Sequence, residues 1–199
     1  MSGMRGLAVF VLGVLASAVA VASQVEPVPP TSGEGAPVEM RLEGVADRLR
    51  LAMTLSTLAV LSPTLVDARL HAQRVVNLLE GTVGRHFVAR LAPEGEVRGL
   101  LVDVRGLVPW LARKPIDPPL RETVLSFAKN IATFLDLALE AALASLGRRH
   151  LDLAAEDMRR AFAYLSAALG PESGPTYLGG VLDLLRLLEA PAEAGTPAP

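Results

Sequence analysis

The densest polar stretch of the chain is His71-Ala-Gln-Arg-Val-Val-Asn77-Leu-Leu-Glu80-Gly81. On a helix turning about 100° per residue, His71 falls on the flank of an apolar stripe, one turn after Asp67. Gln73, Asn77 and Glu80 share a second stripe. An imidazole, an amide and a carboxylate so placed suit a ligand or metal pocket completed by a neighbouring helix. The plainer reading is an Asp67–His71 pair on a helix flank, with Asn77 and Glu80 solvated or closing the helix end.

Four further residues join the candidate set. Asn130 stands among Phe127, Ile131 and Phe134, where a buried amide would fix helix register or join Asn77 in one polar cluster. Arg85 and His86 open a basic stretch in which residues 81–115 hold six Arg or Lys against three acids. Trp110 lies between apolar neighbours and the cations Arg113 and Lys114, which fits a contact with a partner or a membrane surface, or a peg that pins the segment to the core.

No recognised catalytic motif accompanies these residues. The chain has no Gly-x-Ser-x-Gly, no His-Glu-x-x-His, no phosphate-binding glycine loop with its lysine, and none of the Glu-x-x-His pairs of a di-iron bundle. With 0 cysteines it excludes disulfides, thiolate chemistry, Cys-ligated zinc, iron–sulfur clusters and covalent c-type haem. Haem held non-covalently by a histidine with Met53 or Met158 is the remaining cofactor route, although methionine at helical spacing is usually core filler. A formal charge of -2 is no nucleic-acid signature.

The elements that must hold these residues read as helices. Hydrophobic residues make up 51% of the chain and aromatics only 4%, a Leu/Ala/Val stock suited to helix packed on helix. Pro37 opens a helix over 38–61, and Ser62-Pro63 starts a second that runs to Glu80 and stops at Gly81. A third follows Pro118-Pro119 to Gly147. A fourth covers 150–169, with Asp152, Glu156 and Asp157 near its positive end and Gly170-Pro171 after it. A shorter helix spans 176–189. The expected fold is all-α: a four-helix-bundle-like core with a short C-terminal helix and a long irregular crossover, residues 81–119, holding a turn or two near 99–104 and 109–113.

The N-terminus reads as an address. Arg5 precedes an apolar run from Leu7 to Ala22 that ends in Ala20-Val21-Ala22-Ser23, the small-residue form of a cleavage site. Residues 1–23 are therefore read as a signal peptide, with an uncleaved anchor as the rival and the only route to a membrane. Residues 24–37 form a Pro/Gly-rich linker, 38–190 the helical domain and 191–199 a disordered tail. These features together suggest a non-catalytic, extracytoplasmic (periplasmic or secreted) bundle, without a cofactor, that binds a partner protein or a small ligand. A periplasmic metal- or haem-binding bundle is the alternative.

Overall fold

The computed structural model describes residues 38–92, 98–173 and 179–189. The expected leader, linker and C-terminal tail lie outside them. The described residues form six α-helices: α1 Val38–Leu61, α2 Leu65–Glu80, α3 Leu100–Arg113, α4 Pro118–Gly147, α5 Leu151–Leu169 and α6 Val181–Glu189. A short 3₁₀ turn, Ala89–Leu91, lies between α2 and α3, and among the described residues the nearest thing to a sheet is an isolated antiparallel bridge between Gly81 and Arg98.

Three- and four-residue spacing puts Leu42, Val45, Leu49, Ala52 and Ala59 on the buried face of α1, and Val75, Val76, Leu78 and Leu79 on that of α2. Burying a leucine or valine side chain of this kind stabilises the fold by about 1.5–3 kcal/mol. α1 packs on α2 and α5, and α4 packs on α5, α2 and α3. By length and composition α4 could cross a membrane, yet its stripe of Val124, Ala128, Ile131, Leu135, Ala138 and Ala142 is buried against its neighbours.

Thr64, not Ser62, caps α2. The Thr64 hydroxyl accepts the Asp67 N–H at 3.1 Å, an N-cap bond, and donates to the Asp67 carboxylate at 2.7 Å, while Ser62 Oγ turns back to the Leu58 carbonyl at 2.7 Å. Asp157 also departs from a simple dipole role. It is buried on α5 and accepts Arg148 Nε at 2.6 Å across the α4–α5 turn, which holds Arg148 protonated even more firmly than usual. Ser145 Oγ donates to the Ala154 carbonyl at 3.0 Å in the same corner.

The crossover is the main correction. Residues 100–113, expected to hold only a turn or two, form one helix, α3, with Leu100, Leu101, Val104, Leu107 and Leu111 buried on it. Pro109 lies inside this helix, where the missing N–H and the ring clash typically cost about 3 kcal/mol. Packing of that leucine face on α4 and the core offsets the loss. The C-terminal helix begins at Val181 instead of 176, because Gly179 takes φ 71° and Gly180 packs its backbone against Gly170. Residues 176–178 are outside the described segments.

Candidate functional site

Gln73, Asn77 and Glu80 all bond to the loop that follows α2, so what the stripe holds is this chain's own backbone. After Gly81, at φ 70°, the chain reverses and runs back along the last turns of α2. The fully buried Asn77 amide donates Nδ2–H to the Val88 carbonyl at 2.9 Å, and its Oδ1 accepts the Val88 N–H at 2.9 Å. Gln73 Nε2 donates to the His86 carbonyl at 2.8 Å and to Asn77 Oδ1 at 3.2 Å. Glu80 closes the clasp: one carboxylate oxygen accepts the His86 N–H at 2.7 Å, and the other lies 2.7 Å from His86 Nδ1.

Two glycines let the chain approach this closely. A Cβ on Gly84 would overlap the Glu80 side chain, and one on Gly99 would overlap the Glu80 carbonyl, so both limbs of the loop press on one residue. The α3 end of the loop is fixed separately. Asp103, in the first turn of α3, pairs with Arg48 of α1 and with Arg98 at 2.8 Å, and Arg48 also donates to the Arg98 carbonyl.

The clasp sets the position of a groove. Val88, held by Asn77, leads directly into the 3₁₀ turn, and Arg90, Leu91 and Ala92 form one wall. Leu51 and Leu55 of α1 with Arg74 and Leu78 of α2 complete a cavity of about 260 Å³. Leu51 is 44% exposed, and Leu58, one turn beyond Leu55 on the same line of α1, is also 44% exposed. Arg74 and Arg90 are exposed, and neither has a hydrogen-bond or ion-pair partner among the described residues.

The remaining candidates are scattered. Half-buried His71 shares the α2 flank with Arg74, and its Nδ1 is buried without a hydrogen-bond partner in the described protein. Its affinity for a proton is below that of an ordinary imidazole, chiefly through desolvation and then through the Arg74 charge, against the opposing pull of Asp67. Asp67 is occupied by Thr64, so the expected Asp67–His71 pair survives only as this longer-range attraction.

Asn130 is exposed, which corrects the buried-amide expectation. The α4 stripe is centred on Ala128, Ile131 and Leu135, leaving position 130 off it. Arg85 is exposed. Trp110 is half-buried against the core, with Lys114 Nζ 4.3 Å from its ring centroid. Met158 is fully buried in the core and Met53 packs against it. No three His, Asp or Glu side chains gather in a metal-ligating group among the described residues.

Sequence reasoning missed the groove residues Leu51, Leu55, Arg74 and Arg90. A readable signal existed for the first two: Leu51, Leu55 and Leu58 form a second apolar line on α1, outside the stripe that Leu42, Val45, Leu49 and Ala52 bury. Arg74 and Arg90 carry no such signal, since their approach depends on how the loop folds back. No protein-family model matches the chain, and neither a curated protein nor a solved structure matches it.

Proposed function

We propose that this chain is a non-catalytic binding protein whose ligand seats in the groove between α1, α2 and the turn at 89–92. The observation that carries this reading is an apolar lining of Leu51, Leu55, Leu78, Leu91 and Ala92 accompanied by two guanidinium groups without acidic partners among the described residues. A concave apolar surface with a few polar groups at its edge is the usual form of a ligand site. The proposed frame is a four-helix-bundle-like core of α1, α2, α4 and α5, with the clasped loop and α3 as a long crossover.

A non-catalytic role is supported by what the clasp consumes. Both oxygens of Glu80 contact His86, and the Asn77 amide is spent on Val88, so these groups are engaged in structure and are not poised for acid–base work. The signal-like N-terminus supports action outside the cytoplasmic membrane. A cavity of about 260 Å³ falls just below the roughly 300–1,000 Å³ of drug-sized ligand sites, which favours a small ligand over a folded partner.

Fluorescence titration with the neutral apolar probe phenylnaphthylamine tests the reading. The wild-type chain should bind it saturably, and Leu51→Asp, at a half-exposed position, should abolish binding with the fold intact by circular dichroism. Undiminished binding by that variant would remove the groove from consideration.

A further inference from the structure

Resting on that groove reading, we infer that the ligand is a medium-chain aliphatic carboxylate, its tail on the leucine floor and its head between Arg74 and Arg90. The tail follows from the lining. Leu51 and Leu55 are one helical turn apart, and Leu58 extends their line to about 10 Å along α1. That strip is long enough for a single chain and far short of the area that a stable protein interface buries.

The head follows from charge. Arg74 and Arg90 meet no carboxylate among the described residues; exposed Arg85 and Arg149 do not either, but Arg74 and Arg90 are set apart by lining one apolar groove together. The positive field is also felt by a neighbour, since Arg74 disfavours protonation of His71. A carboxylate would receive charge-assisted hydrogen bonds from planar guanidinium donors there, while a cationic head of the same tail length would be repelled.

Leucine methyl NMR on the full chain tests this with decanoate and decyltrimethylammonium, each below its micellar concentration. Decanoate should shift the methyls of Leu51, Leu55 and Leu78, and the cation should bind more weakly by about tenfold or more. Arg74→Gln/Arg90→Gln, both at exposed positions, should weaken decanoate by about tenfold while phenylnaphthylamine still binds. Equal binding of the two surfactants, or decanoate binding unchanged in the double variant, would overturn the carboxylate assignment and leave the groove reading standing. Failure of both decanoate and phenylnaphthylamine would end both. Shifts at these leucines that appear only on raising protein concentration, or only with an acidic amphipathic peptide, would put a second copy or a partner helix in the groove and overturn the carboxylate.

Discussion

Asn77 treats Val88 as a neighbouring strand would, accepting its N–H and donating to its carbonyl, each at 2.9 Å. An amide side chain on the last turn of α2 thereby replaces the backbone partner that a folded-back loop otherwise lacks. Because Val88 is joined directly to the turn carrying Arg90 and Leu91, Asn77 and Glu80 are positioning residues for the groove wall.

Asn77→Leu keeps the volume and deletes both bonds, leaving the N–H and carbonyl of half-buried Val88 without that partner. Unfolding by urea should show a loss of about 2–4 kcal/mol, and amide exchange at Val88 should accelerate more than exchange in α5. A stability change below about 0.5 kcal/mol would show that the loop is held by other contacts.

Gly99→Ala and Gly84→Ala should each destabilise, by about 1–3 kcal/mol, because the new methyl collides with Glu80 from opposite limbs of the loop. Gly44→Ala is the contrasting case. It sits in α1 with open space around its would-be Cβ, so it should stabilise by about 0.5–1 kcal/mol. Thermal melts of the three variants check the ordering.

These positions also mark where sequence was informative. The first helix is legible because its apolar residues recur with a helical period, and helices end at Glu80 and Leu169 as their glycine stops at Gly81 and Gly170 predict, whereas Gly147 is the last residue of its helix and Arg148 follows as the cap. α3 was hidden because Gly106 and Pro109 interrupt a pattern that tertiary packing nonetheless completes. Asn130 is not legible from its neighbours, because Phe127 and Phe134 suggest the centre of the buried face, whereas Ala128, Ile131 and Leu135 are fully buried and the rings are only half-buried. The Gln73/Asn77/Glu80 stripe was legible as a unit, but its target was not, since no periodicity predicts a loop folding back on its own helix.

His71 gives the pH prediction. Its folded-state affinity for protons is lowered, so the unfolded chain, with its ordinary 6.5, binds more protons as the medium acidifies. The stability it allows is therefore complete above 6.5 and is lost as pH falls through the lower folded value. A proton added at Nδ1 would have no acceptor among the described residues. Urea midpoints measured between about pH 7.5 and 5 should fall more steeply for the wild type than for His71→Gln; parallel slopes would mean that His71 titrates as it does in the unfolded chain.

Trp110 packs half-buried against the core and lies under Lys114. Trp110→Ala should cost about 2–3 kcal/mol, less than full burial would because part of the ring is already in water. The phenylnaphthylamine affinity should not change, since Trp110 is not part of the groove lining. A loss of probe binding with unchanged melting temperature would move the binding surface to α3.

The central claim is that ligand seats where α1, α2 and the clasped turn meet, and leucine methyl NMR during a phenylnaphthylamine titration tests it most directly. The predicted result is saturable shifts at Leu51, Leu55, Leu78 and Leu91, with Leu135 and Leu165 of the core unmoved, and loss of those shifts in Asn77→Leu as its wall loosens. Shifts centred on any other leucines, or the same shifts persisting unaltered in Asn77→Leu, would contradict it.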